Sequence, residues 1–281
     1  MFYSRNLKKF DNIKHCFFSK KNGFSKGIYA SLNCGKGSKD NKKNIKKNLN
    51  LVAKKMKVKS NNLILMHQTH SNKVIEIKNH NYKKKILADA MITRIKGFSI
   101  SVLTADCVPI ILYDIKNKII GCIHAGWRGS YKGIIKNTIL KIKKIGKNNI
   151  IYASVGPCIG QKNYEVDNKF YRKFINKNKK NKIYFTYKNK AKKNFNLRKF
   201  VTNKLKEFNV IVDHVNIDTF EEKRKMRRFG LYAKAYGLPQ LNEPYETLLS
   251  DEELANGPSH ANSIGRERYT SILIERLKQK L

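Results

Sequence analysis

Short runs of Ile, Val and Leu alternate along the chain with long stretches of Lys and Asn. Residues 98–103, 108–113 and 119–123 are brief, β-branched and bounded by Gly, Asn or Asp, which predicts three strands. The polar stretch 114–118 between the last two predicts a hairpin whose arms bring Cys107 and His124 near each other. Residues 63–66, 74–77, 150–155 and 210–217 read as further strands, and 12–18 as a short one. In residues 44–56, Ile45, Leu49, Val52 and Met56 recur at helical spacing, which predicts an amphipathic helix. Residues 131–145 do the same with Ile135, Ile139 and Ile142 on one face and Gly146 as the stop. Two charged helices are expected at 168–176 and 197–208, separated by an exposed excursion over 177–193.

Charge adds a second layer. The formal net charge is +40, of which residues 1–220 carry +38 and residues 221–281 only +2. Such a balance attracts nucleic acid, phosphate or acidic membranes. The cations here are Lys interleaved with Asn and Ile throughout, rather than Arg gathered with aromatics on one face, which argues against a nucleic-acid partner. No apolar run approaches the roughly 18 residues of a membrane helix, and residues 1–6 lack a secretory apolar core. The five widely spaced cysteines do not form a disulfide framework. A cytoplasmic protein is expected. From about residue 223 Lys and Asn thin out, with a short acidic helix expected within 238–258 and a terminal helix at 269–281.

The chemistry gathers at strand ends. Thr104-Ala105-Asp106-Cys107-Val108-Pro109 precedes one apolar run, and Gly121-Cys122-Ile123-His124-Ala125-Gly126-Trp127-Arg128-Gly129 closes another. Cys107, His124 and one histidine of His67-Gln68-Thr69-His70 make a set that suits a three-ligand catalytic zinc. Separations of 37 and 17 residues require the ligands to converge through the fold. The same atoms also suit a metal-free nucleophile, Cys107 activated by His124 with Asp106 nearby. A buried inert thiol and a satisfied core histidine are the plain alternatives. A blue-copper site would need a long axial Met as well, and multicopper chemistry needs many more than the seven His present. Arg128 can fork onto two phosphate oxygens or serve as an ion-pair partner beside Trp127. Asp106 is an acid/base candidate by proximity to Cys107, or else a turn-capping carboxylate. Cys122 shares a strand face with His124 by alternation, and Cys158 reads as core.

Gln68-Thr69-His70, Ala88-Asp89-Ala90, Thr104–Pro109, the His124-Ala125-Gly126-Trp127-Arg128-Gly129 block and Gly156-Pro157-Cys158-Ile159-Gly160 resemble, in order, the signature blocks of the laccase-domain, polyphenol-oxidase-like bacterial family. This family is also named peptidoglycan editing factor. Asn163-Tyr164-Glu165-Val166 resembles its next block. The resemblance implies an α+β fold of mixed β-sheets packed together with flanking helices, over one domain spanning residues 1–222 and an atypical tail at 223–281. It implies Zn2+ held by His70, Cys107 and His124. The activity implied is phosphorolysis of adenosine, inosine, guanosine and methylthioadenosine, with adenosine deaminase activity, so that purine nucleosides and phosphate are the partners. For that chemistry Asp106, by its proximity to Cys107, and Arg128, by its forked guanidinium, are the catalytic candidates. Other readings are a cysteine hydrolase of cell-wall editing and a basic binding protein with a decayed site. The family's Asn-Arg pair stands here as Asn48-Leu49, and its closing Ser-Tyr-Arg-Arg block is replaced after Phe220-Glu221-Glu222.

Overall fold

Helix α1 (Lys42–Met56) starts at Asn41, whose side chain accepts from the Lys43 amide, and stops at Lys57, which turns left-handed with φ 56°. The computed structural model describes residues 1–215 of the 281. The tail from 223, its two expected helices and the boundary at 222 lie outside the described residues. Asn48 interrupts the apolar stripe of α1 and is fully buried. It accepts from Phe24 N (2.7 Å) and donates to Ser25 Oγ, Ser31 O and Asn33 O, tying the preceding loop to the helix. Leu49 beside it packs against the small cluster of Val52, Ala53 and Leu63.

Strands β1 (Leu63–Leu65), β2 (Val74–Glu76), β3 (Ala90–Thr93), β4 (Ser99–Ser101), β5 (Val108–Asp114) and β6 (Ile119–Ala125) follow. Helices α2 (Trp127–Lys132) and α3 (Ile134–Ile145) lead to β7 (Ile151–Val155). Next come β8 (Glu165–Asp167), α4 (Asn168–Lys177), β9 (Phe185–Tyr187), β10 (Lys192–Phe195), α5 (Leu197–Lys206) and β11 (Ile211–His214). The main sheet has six strands in the order β11-β7-β5-β6-β3-β2, mixed in direction. The β5–β6 hairpin is its axis, in register from Val108 with Ala125 to Asp114 with Ile119. Buried Asp114 closes the turn by accepting from Lys116 N and Asn117 Nδ2. β8-β10-β9 and β1-β4 form two smaller sheets. Mixed sheets with flanking helices make this an α+β fold.

Alternation sorts the two faces of the main sheet. Ile92, Ile110, Leu112 and Ile123 pack under Ile135, Ile139 and Ile142 of α3 and Phe200, Val201 and Leu205 of α5. Met91 and Cys122 on the other face meet Ile64, Met66, Ile77 and Ile86. Each fully buried aliphatic side chain contributes about 1.5–3 kcal/mol, so both faces anchor the hairpin.

Three expectations are corrected. Residues 12–18 make only an isolated bridge, Phe17 with Phe2, and otherwise run as irregular chain. The helix expected over 131–145 is two helices, since Gly133 turns left-handed at φ 95° and breaks it. The excursion over 177–193 is structured: it holds a short helical turn, β9 and the start of β10, with Asn181 and Tyr184 buried. Its lysines point outward while Tyr184, Phe185 and Phe195 complete an aromatic cluster with Phe174 and Phe200.

Candidate metal centre

His124 is the penultimate residue of β6, and its main chain and side chain meet the same neighbour. The His124 amide donates to Asp89 O at 2.8 Å, and His124 Nδ1 lies 2.8 Å from Asp89 Oδ1. An ionised carboxylate only accepts, so Nδ1 carries the proton and Nε2 keeps its lone pair for a ligand. Burial lowers the His124 pKa below its ordinary value, against the pull of Asp89. The imidazole is therefore held neutral, the form that binds metal.

Asp89 organises the second ligand too. It is fully buried, just before β3, and takes bonds from the amides of Thr69 (3.2 Å), His70 (3.0 Å) and Ser71 (2.6 Å) and from Ser71 Oγ (2.7 Å). Burial acts against the ionised carboxyl; the bonds from His124, Ser71 and Thr69 outweigh it, and the pKa falls below the usual range. His70 itself sits at φ 55°, a left-handed conformation that non-glycine residues seldom adopt. The bond from its amide to Asp89 holds it there. Gln68 fixes the other side of this loop. Its amide group donates to Leu103 O (2.7 Å) and accepts from Leu103 N (2.8 Å), joining it to the segment that carries Cys107.

Cys107 lies one residue before β5, opposite Gly126 on the hairpin register. A Cβ on Gly126 would fall 2.8 Å from Cys107 Sγ and 3.0 Å from His70 Cδ2, so only glycine leaves room for these side chains to meet. Cys107 Sγ is 3.9 Å from His70 Nε2, and the His70 and His124 rings meet edge-on at 4.7 Å. The ligand atoms of His70, Cys107 and His124 all lie within 4.8 Å of one another; among the described residues they form the one group of this kind. Two imidazoles and a thiol at such distances fit a single tetrahedral metal with an open fourth position. His67 is exposed and outside this group, its backbone pairing with Ile86 and Leu87. Cys122 shares the face of His124 but lies buried among Met91 and Ile64. Cys158 is half-buried beside the aromatic cluster.

Burial pushes the Cys107 thiol up to about 11, with the charges of Asp106, Cys158 and Asp89 adding to the effect. A protonated thiol beside neutral His124 is not the thiolate–imidazolium pair of a metal-free nucleophile. A bound cation reverses this, because a coordinating thiol is deprotonated outright.

Asp106 is exposed, its carbonyl accepting from Ile159 N at 3.0 Å, and its charge reaches Cys107, Cys158 and Tyr164. Arg128, exposed on α2, lays its guanidinium 5.3 Å from the centre of the Trp127 ring. That ring also receives Lys173 at 5.4 Å. Sequence reading assigned no role to Asp89, Gln68, Gly126 or Tyr164. The signal for Asp89 was a carboxylate among the small apolar residues of Ala88-Asp89-Ala90, a place where a charge needs a partner.

No helix among the described residues is long and apolar enough to cross a membrane. A family model described as multi-copper polyphenol oxidoreductase laccase matches residues 14–229. A Bacteroides thetaiotaomicron protein named purine nucleoside phosphorylase is 33% identical over 179 residues, covering 60% of this chain and 66% of that one. A Rickettsia conorii protein named purine nucleoside phosphorylase RC0672 is 34% identical, covering 66% and 75%. A Haemophilus influenzae protein of the same activity name is 30% identical, covering 76% and 87%. The chain thus spans about two thirds of the Bacteroides relative. In fold it is similar to the Bacillus licheniformis hypothetical protein YfiH, with a TM-score of 0.65 at 24% identity over 69% of this chain and 78% of that one. With residues 14–229 matched, the chain belongs to the laccase-like family that this model describes.

Proposed function

We propose that this chain is a zinc-dependent purine nucleoside phosphorylase, with His70, Cys107 and His124 as the metal ligands. The convergence of these three side chains around one point, with His70 exposed, carries the reading. The activity names of the relatives support it. The oxidase description of the family model fits less well: multicopper oxidation needs several histidine-rich centres, whereas the chain has seven His in all.

In phosphorolysis a phosphate oxygen bonds to the anomeric carbon as the bond from that carbon to the purine nitrogen breaks. The purine leaves with the electron pair and needs a proton. When bound, zinc supplies a Lewis-acidic positive charge at the centre. Arg128, steadied against Trp127, grips phosphate through two guanidinium bonds and turns one oxygen toward the sugar. Asp106, at the rim beside Cys107, moves the proton to the departing base. Tyr164, whose hydroxyl burial holds protonated far into the alkaline range, offers a neutral donor beside Asp106.

The test is incubation of purified protein with adenosine or inosine, with and without inorganic phosphate, followed by separation of products. The proposal expects free purine and ribose 1-phosphate, formed only with phosphate and abolished by Cys107→Ala. Inosine and ammonia from adenosine would instead mark deamination at this centre. No purine release by zinc-loaded protein would refute the proposal.

A further inference from the structure

The β5–β7 pairing sets Ile110 against Val155 and Ile111 against Ser154. Past the end of β7 the two chains stay joined by two further main-chain bonds. Gly156 N donates to Pro109 O at 2.8 Å, and Ile159 N donates to Asp106 O at 3.0 Å. These two bonds bracket Cys107 on one chain and Cys158 on the other, each the residue next to the Asp106–Ile159 bond. The two side chains are close enough for the charge of Cys158 to bear on Cys107, and a disulfide needs Cα atoms about 4.4–6.8 Å apart. Both thiols are free and half-buried.

Cys107 therefore stands between two neighbours. On one side is Gly126, toward which its sulfur leans, with His70 beyond. On the other is Cys158. One rotation about the Cα–Cβ bond of Cys107, from one staggered position to another, turns the sulfur from the ligand cluster toward Cys158. The remaining cysteines are placed elsewhere. Cys122 lies in the core beneath the sheet, Cys34 packs against the α1 cluster, and Cys16 neighbours Tyr3.

We propose that Cys107 and Cys158 form a reversible oxidative modification site, in which a disulfide between them withdraws the sulfur ligand and releases the metal. The oxidant is hydrogen peroxide. The Cys107 thiolate attacks one peroxide oxygen, the O–O bond breaks, and Cys107 becomes a sulfenic acid while the other oxygen leaves as water after taking a proton. Cys158 then attacks that sulfur. The S–S bond forms, the S–O bond breaks, and the hydroxide leaves as water with the Cys158 proton. The net change is two thiols and one peroxide to one disulfide and two waters. Burial raises the Cys158 thiol above its ordinary range, and Arg198, which hydrogen-bonds it, only partly offsets this. Without Cys158 the sulfenic acid has no partner opposite and passes on to the sulfinic acid, which thiol reductants do not reverse.

The experiment treats zinc-loaded full-length protein with hydrogen peroxide, alkylates free thiols, and maps linked peptides by mass spectrometry. Zinc in solution is followed with a chromogenic chelator before and after dithiothreitol. In the wild type we expect a Cys107–Cys158 linked peptide, loss of bound zinc, and recovery of nearly all zinc binding on reduction. In Cys158→Ser we expect zinc loss with at most about a tenth of the binding recovered, and sulfinic acid at Cys107. Absence of that linked peptide while Cys107 is oxidised, or a link from Cys107 to another cysteine, overturns the proposal. Equal recovery in Cys158→Ser overturns it also. Should that variant not fold, the wild-type peptide map alone decides. None of these readouts uses turnover, so the site stands or falls separately from the phosphorylase reading.

Discussion

Asp89→Asn is the most informative single substitution, because it changes almost no volume and asks what the charge does. Oδ1 of Asp89 takes His70 N and His124 Nδ1, and Oδ2 takes Thr69 N, Ser71 N and Ser71 Oγ. An asparagine has one acceptor oxygen. If its NH2 group replaces Oδ2, it confronts the Thr69 and Ser71 amides, donor against donor. If it replaces Oδ1, it confronts the His70 amide, and His124 must shift to the tautomer that spends its Nε2 lone pair on a proton. Either way at least one buried backbone donor loses its acceptor, at about 1–3 kcal/mol each. Loss of the carboxylate behind a ligating histidine typically costs about 10–100-fold in metal affinity, or roughly 1.4–2.7 kcal/mol. We expect zinc affinity to fall by about 10–100-fold, measured by competition with a chelator of known affinity. The metal-free protein should lose roughly 5–10 °C in melting temperature, from about 2–3 kcal/mol at this size. A variant that binds zinc within about twofold of wild type, with unchanged melting, would refute the idea that this carboxylate holds both histidines.

Further outcomes follow from other contacts. Gly126→Ala puts a methyl 2.8 Å from Cys107 Sγ, so zinc affinity in chelator competition should fall by at least about tenfold while circular dichroism stays native. Gln68→Ala cuts both bonds to Leu103 and should weaken zinc by about tenfold, with Gln68→Glu rescuing less than half because its carboxylate cannot donate to Leu103 O. Ile139→Ala, beneath the main sheet, should cost about 2–5 kcal/mol in denaturant unfolding and leave zinc affinity of the folded protein unchanged. Burial lowers the His15 pKa, and its Nε2 accepts from Ser4 N, so folded His15 stays neutral while the unfolded chain takes up a proton. That contribution is complete above the unfolded pKa of about 6.5 and is lost as pH falls through it; His15→Gln should flatten the melting-temperature difference between pH 7.5 and 5.5.

The hydrophobic pattern carried the frame of the fold for a physical reason. Strands such as Val108–Asp114 and Ile119–Ala125 are buried on both faces, so their apolar runs are unbroken and easy to see. Helices α1 and α3 show a helical period because only one face of each is buried. Three-residue strands such as β2, β8 and β9 are too short to display any period. The segment after α4 misled because its lysines are many and exposed while Tyr184, Phe185 and Phe195, which fix it, are few. Composition weighs residues equally, whereas packing does not.

The candidate centre was legible as a set of residue types, since thiol and imidazole at strand ends are chemically conspicuous. What joins them was not. Gly126 matters through an atom it lacks, Gln68 through a backbone group 35 residues away, and Asp89 through six bonds from segments far apart in the chain. These dependencies also separate the metal reading from the thiol reading. A cysteine nucleophile needs its thiolate stabilised within the site, and here burial raises the thiol while Asp89 and Asp106 add negative charge around it. The same surroundings favour a divalent cation, which finds two imidazoles, an ionisable sulfur and a nearby buried carboxylate. The electrostatics thus call for a positive charge at the point where the three ligand atoms converge.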